Sequence, residues 1–135
     1  MSLLESCMSV VILSTAAMIA VPSLVRARES YQLDAAARHV AGKMRLARIK
    51  AVAGNRNCRV RVNSGVSFVI ECEDVSWRTQ ESFVLPRGLR MTATAAPEFH
   101  RHGNAAPAGT IVIWNSGGRS KRVIVNIAGR VKVDP

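Results

Sequence analysis

Residues 1–30 read MSLLESCMSVVILSTAAMIAVPSLVRARES. From Ser6 to Val25 no residue carries a formal charge, and one carboxylate, Glu5, stands at the head of that run. The run has the length that a bilayer-spanning helix needs, about 20 residues at ~1.5 Å each. A secretory signal peptide wants a positive segment ahead of its apolar core, and here the front holds Glu5 with no Lys or Arg. A plain transmembrane anchor has no use for an acid near its end, although a terminal position reaches the interface. The cations come after the run, at Arg26 and Arg28, an asymmetry that keeps the following segment cytoplasmic if the chain had no leader. A third reading accounts for the acid. An intramembrane carboxylate costs about 2.5–3.5 kcal/mol by insertion scales, less near the interface, and is tolerated when it has a partner. The nearest cation in sequence is the α-amino group of residue 1. Among packed helices, Glu5 of one subunit meets the free N-terminus of its neighbour. That reading expects residue 1 to be a true terminus, left by removal of a leader.

Pro22 removes a helix hydrogen bond and is expected to kink or locally melt the helix. Beyond it the period is helical again. Leu33, Ala36, Val40, Met44, Ala47 and Ala51 recur at three- and four-residue spacing and make one apolar stripe. Arg38, Lys43, Arg45, Arg48 and Lys50 fall mostly off it, and Gly54–Asn55 is a C-terminal stop. The expectation is one long bent helix of roughly 80 Å. Its front half lies in lipid or a filament core, and its back half lays a stripe on a globular domain.

The period then switches to two. RNCRVRVNSGVSFVIECE (56–73) alternates on both sides of NSG and reads as a β-hairpin. SFVLPRGLRMTATA (82–95) reads as a second short pair broken at Pro86–Gly88, and APEFHRHGNAAPAG (96–109) as loop. GTIVIWNSGGRSKRVIVNIAGRVKV (109–133) holds three more strands separated by NSGG and AG. A helix followed by antiparallel strands is an α+β pattern. The expected divisions are 1–25, a hydrophobic transmembrane or filament-core half-helix; 26–54, an amphipathic half-helix; and 55–135, a β-rich head.

Two stretches carry a family resemblance. MSLLES, with Glu5 and Pro22 in register, resembles the mature N-terminus of type IV pilins and pseudopilins. RLARIKAVAGNRNCRVRV and the closing GRVKV resemble the FimT/GspH branch of minor pilins and pseudopilins, where the helix typically reads LRLARSEAIRRN and the chain ends near GRVRV. The chain departs at Leu4-Glu5-Ser6 and Cys7, in place of the commoner Leu-Leu run, and at Lys132, where Arg is usual. The resemblance implies cleavage before Met1 by a prepilin peptidase, with Met1 N-methylated, and roles in assembly for Glu5 and Pro22. It implies a structural subunit that polymerises through its N-terminal helix into a type IV pilus or a type II secretion pseudopilus. The partners are then other pilin subunits and an inner-membrane assembly platform. The subunit rests in the inner membrane before assembly and in an extracellular or periplasmic filament afterwards. Small residues Ser14, Ala16, Ala17 and Ala20 allow close helix approach.

Composition adds a second expectation. The 135 residues carry a formal charge of +10, which favours anionic partners such as nucleic acid or acidic lipid, or serves solubility alone. From Phe99 onward the cations are Arg101, Arg119, Lys121, Arg122, Arg130 and Lys132, with Asp134 the only acid. Alternation in GRSKRV separates Lys121 from Arg122, and a twisted hairpin tip is expected to gather them again with Arg119. Some FimT-type minor pilins bind DNA through a C-terminal Gly-Arg-x-Arg motif, and Gly129, Arg130 and Lys132 match it with one substitution. The alternative function is therefore a DNA-binding minor pilin acting in DNA uptake. Lys keeps the charge but loses the planar fork.

Of three cysteines, Cys7 lies in the apolar run, while Cys58 and Cys72 flank the first hairpin. With the turn centred on Ser64, Cys58 lies opposite Ile70, so a Cys58–Cys72 disulfide needs a register shift or bulge. His39, His100 and His102 show no ligand pattern, and HRH at 100–102 reads as an exposed loop. Glu71, Glu73 and Asp74 read as a solvated strand edge. The Gly-rich Ser64–Gly65 and Ser116–Gly118 sit between strands, where turns need them, and a phosphate loop needs a Lys and a following helix. With no nucleophile–base pair, no metal pattern and no cofactor fingerprint, the chain is read as no enzyme.

Overall fold

The computed structural model describes residues 2–135; the proposed processing and methylation at Met1 lies outside them. The chain forms two compact units, one ending at Tyr31 and the other Gln32–Pro135. A single helix, α1 (Leu3–Ala53), supplies all of the first and opens the second. It continues through Pro22, which itself donates no hydrogen bond, so the chain does not melt there. It ends where expected, with the turn closed by Asn55: Arg56 N–H donates to the Ala51 carbonyl and Asn55 N–H to that of Val52, with Asn55 at φ 48°. That double bond satisfies carbonyls the helix leaves open.

Two four-stranded antiparallel sheets follow. One has the order β3 (Trp77–Val84), β2 (Ser67–Glu73), β1 (Cys58–Val62), β5 (Glu98–Phe99). The other has the order β4 (Leu89–Ala93), β6 (Gly109–Asn115), β7 (Ser120–Val125), β8 (Val131–Asp134). The β1–β2 hairpin and the three closing strands stand as read. The second short pair does not: β3 pairs with β2 and β4 with β6, in different sheets. Pro86 donates no N–H, and Gly88 takes φ 85°, so the chain leaves one sheet and enters the other instead of folding back. The β1–β2 turn holds both ends of this crossing: Leu85 N–H donates to the Val66 carbonyl, and Met91 N–H to that of Gly65. The loop of 96–109 contains β5, because Phe99 is fully buried and pairs opposite Cys58.

The core lies within the second unit. Leu33, Ala36, Ala37, Val40, Ala41, Met44, Ala47 and Ala51 of α1 meet Phe68, Ile70, Phe99, Ile111, Ile113 and Val123 from both sheets. The five alanines let the strands approach the helix axis closely, so a core poor in aromatics still excludes water.

Candidate assembly helix and basic sheet face

In the first unit every residue from Ser2 to Arg28 is exposed. Leu13, Met18 and Ile19 point apolar surface to different sides of the helix and bury none of it. α1 is long and apolar enough to cross a membrane by length and composition. Three of its hydroxyls are satisfied locally: Ser9 donates to the Glu5 carbonyl at 2.9 Å, Ser14 to Val11 at 2.9 Å, and Thr15 to Val11 at 3.0 Å. Such back-bonding lets Ser and Thr enter an apolar medium with no unpaired donor. Glu5 has a local role that the sequence reading missed. The Glu5 N–H donates to Ser2 Oγ at 3.3 Å, so Ser2-Leu3-Leu4-Glu5 has the spacing of a capping box, and a first-turn carboxylate faces the positive end of the helix dipole.

The GRSKRV cations Arg119, Lys121 and Arg122 do not gather at one hairpin tip. Lys121 belongs to the inward-facing set of β7, and its Nζ donates to Asp34 Oδ1 of α1 at 2.8 Å. That hydrogen bond, with Arg38 nearby, holds the Asp34 carboxyl below its ordinary value. Lys121 is thereby removed from the proposed basic surface. Arg122 and Lys132 face outward, and Lys132 pairs with Asp134 at 2.8 Å. The hydrogen bond from Lys132, with Arg122 close by, lowers the Asp134 pKa. Arg119 and Arg130 stand at opposite ends of β7, about 20 Å apart at ~3.3 Å per residue. Arg119, Arg122 and Arg130 are exposed and make no ion pair with a described residue.

Arg119 and Arg130 are presented by twin turns, Asn115-Ser116-Gly117-Gly118-Arg119 and Asn126-Ile127-Ala128-Gly129-Arg130. In each, the Asn carbonyl accepts from the Gly N–H, at 3.2 Å and 2.9 Å, and the Gly takes positive φ, 79° and 77°. In each, the Asn side-chain oxygen accepts from the Arg N–H, at 3.0 Å and 2.8 Å. The Asn-x-x-Gly-Arg spacing was visible in the letters; only the matching hydrogen bonds reveal one device used twice.

Helix cations read as off-stripe seat the second turn. Arg48 Nε donates to the Gly103 carbonyl at 2.8 Å, and Arg45 to the Val131 carbonyl at 3.2 Å. A Cβ on Gly129 would stand 2.0 Å from the Gly103 oxygen. Glycine is needed there for contact as well as for backbone angle.

Sheet one corrects two further expectations. Cys58 lies directly opposite Cys72, because the hairpin turn centres on Gly65 and not on Ser64. The two Sγ atoms are at bonding distance, 2.00 Å, with Cα atoms 4.0 Å apart. The β2–β3 pairing does carry an irregularity at Ile70/Glu71, but β1–β2 needs none. Glu71 is no solvated edge acid. It is 6% exposed and receives Arg59 at 2.7 Å and Arg61 at 2.9 Å. Burial pushes its pKa up, and the two guanidinium hydrogen bonds more than offset that, so the net shift is downward. Lys50 and Lys43 of α1 both reach Glu81 of β3. Within HRH, His100 is half-buried and bonded to Asn57 and to the Ala106 carbonyl, while Arg101 and His102 are exposed.

No protein-family model matches the chain, and no curated protein matches it. Solved structures do match. The minor pseudopilin EpsH from the type 2 secretion system of Vibrio cholerae superposes with TM-score 0.67 at 13% identity, over 76% of this chain and 95% of that one. The type IV minor pilin FimU of Pseudomonas aeruginosa PAO1 gives TM-score 0.66 at 19% identity, over 79% and 91%. The solution structure of E. coli GspH gives 0.62 at 12%, over 82% and 88%. One long N-terminal helix packed on an antiparallel sheet domain is thus the architecture this chain shares with minor pilins and pseudopilins.

Proposed function

We propose that the chain is a pilin-like structural subunit that polymerises through the first half of α1. The observation carrying this reading is the uncharged, wholly exposed helix from Ser6 to Val25 with Glu5 at its head. That much apolar surface needs lipid before assembly and neighbouring helices afterwards. The inner membrane, a prepilin peptidase acting before Met1, an assembly platform and other pilin subunits are the partners this role calls for. Pro22 is the point where the packed half can bend. Residues 1–25 then form the membrane or filament-core half, 26–54 the amphipathic half and 55–135 the head.

The test separates the two roles open to Glu5. Glu5→Ala removes both the capping carboxylate and the ion pair; Glu5→Gln keeps a capping-box side chain and loses the charge. If Glu5 meets a neighbour's N-terminus, both variants lose filaments, because an unpaired buried ammonium costs about 3–5 kcal/mol. Normal filament yield from Glu5→Gln overturns the ion pair.

A second reading, DNA binding in uptake, is favoured by three exposed arginines that make no ion pair with a described residue, Arg119, Arg122 and Arg130. Each phosphate contact contributes about −0.9 to the slope of log K against log salt. In the full chain in neutral detergent, Arg130→Gln with Lys132→Gln reduces that slope by about two if each makes one contact, and Arg38→Gln leaves it unchanged. An unaltered slope in the double variant leaves GRVKV as an edge strand only.

A further inference from the structure

The outward face of the second sheet combines three features in register. Met91, Ile111, Ile113, Val123 and Val125 point into the core, so the alternate residues of the same strands share the opposite face. Across it the first row is Arg90, Trp114, Ser120. The next is Thr92, Val112, Arg122, Asp134. The third is Thr110, Ile124, Lys132. Arg90, Arg122 and Lys132 are exposed, Trp114 is half-buried, and Asp134 is the one acid, already paired with Lys132. Arg130, opposite Asn126, continues this face beyond the end of β7, whereas Arg119, opposite the buried Asn115, follows the inward set at the other end. The cations of this face therefore form a strip that runs across the sheet, from Arg90 on β4 through Arg122 on β7 to Lys132 and Arg130 on the β8 side.

Trp114 stands near one end of the strip, directly opposite Arg90. The two line an open cavity of about 340 Å³ with Gly88, Leu89 and Ser116. An indole and a guanidinium thus share its lining, and neither sequence spacing nor the C-terminal motif had singled out either residue.

We infer that this face binds single-stranded DNA, with Arg122, Arg130 and Lys132 tracking the phosphates across β7 and β8 and one base stacked on Trp114 beside Arg90. Charge complementarity selects a polyanion, and the aromatic end selects one with unpaired bases. A duplex offers phosphates but no free base face, whereas a single strand offers both. The hydroxyls of Thr92, Thr110 and Ser120 between the cations suit a sugar–phosphate chain. This inference rests on the DNA reading above, extends it from the C-terminal motif to Arg90 and Trp114, and drops Lys121 from it.

The test uses the full chain in neutral detergent, titrated with a short oligothymidylate, with duplex DNA and with anionic phospholipid vesicles. The chain has two tryptophans, so Trp77→Phe makes Trp114 the sole indole reporter. The expected result is quenching of Trp114 by oligothymidylate and tighter binding of single strand than of duplex. Trp114→Leu then weakens single-strand binding about ten-fold or more and barely alters duplex binding. Arg90→Gln weakens both, and Lys121→Gln changes neither. Thermal unfolding of each variant identifies any that fail to fold, and the quenching experiment stands without Trp114→Leu. Equal binding of single strand and duplex with no quenching overturns the stacking platform and leaves phosphate contacts alone. Binding of vesicles but of neither nucleic acid overturns both the platform and the DNA reading.

Discussion

Met8 and Met44 lie on the same helix and meet opposite fates. Met8 is 63% exposed and Met44 is 0% exposed. Around Met8 the apolar residues circle the whole helix; around Met44 they hold to one stripe, with alanine beneath the sheets and cations elsewhere. The first pattern has no partner among the described residues. The second is satisfied internally, and its flanking cations are spent on particular acceptors. One helix thus carries two kinds of surface, told apart by how far around its circumference the apolar residues extend.

The comparison breaks most readily at the methionines. Met44→Ala is expected to lower the stability of the sheet unit by about 2–5 kcal/mol, and Met8→Ala to leave it unchanged, measured by chemical unfolding of the full chain in detergent. Equal losses would mean the two halves share one core.

A covalent constraint belongs to the second region alone. We propose that Cys58 and Cys72, 14 residues apart, are disulfide-bonded in the mature protein. Reduction, in a Cys7→Ser background, should then destabilise the sheet unit by about 3 kcal/mol. Two free thiols by non-reducing mass spectrometry would end the idea.

Glycine gives a contrast of sign. Gly129→Ala forces a Cβ onto the Gly103 carbonyl at φ 77° and is expected to cost about 1–3 kcal/mol. Gly42 is helical, exposed and free of neighbours within 4 Å, so Gly42→Ala should raise stability by about 0.5–1 kcal/mol. Thermal melts of the two variants moving in the same direction would contradict the placement of the second turn.

The smallest effect is in pH. The Glu71 pKa is lowered on folding, so its contribution is present above the unfolded value, about 4.5, and is lost as pH falls through the lower folded value. Asp34, also lowered, by its bond to Lys121, acts in the same sense. Glu71→Gln should flatten the decline of melting temperature below about pH 4.5, and an unchanged acid limb would show that the Arg59–Glu71–Arg61 cluster contributes nothing there.

Much of the fold was legible because periodicity is local. The stripe Leu33–Ala51, the Asn55 stop, the NSG hairpin and the three closing strands each follow from residues close in sequence. The pairing of β3 and β4 was not, since a strand's partner is a long-range choice and Pro86–Gly88 serves a hairpin and a crossing equally well. β5 was hidden by its prolines, and only the burial of Phe99 makes a strand of it. The basic surface was half legible. Charge could be counted in the letters, but Lys121 differs from Arg122 only in which face of β7 it occupies and in Asp34 waiting on α1.

From its residues alone, the chain determined an uncharged N-terminal helix headed by an acid, an amphipathic continuation and an antiparallel β head, because spacing and charge act between near neighbours. Tertiary structure alone decided which cations remain free. Lys43, Lys50 and Lys121 are drawn to acids, and Arg45 and Arg48 to backbone carbonyls, by partners distant in sequence. An ion pair or a seated carbonyl exists only once two distant segments pack, so Arg119, Arg122 and Arg130 are what folding leaves exposed and without an ion pair to a described residue.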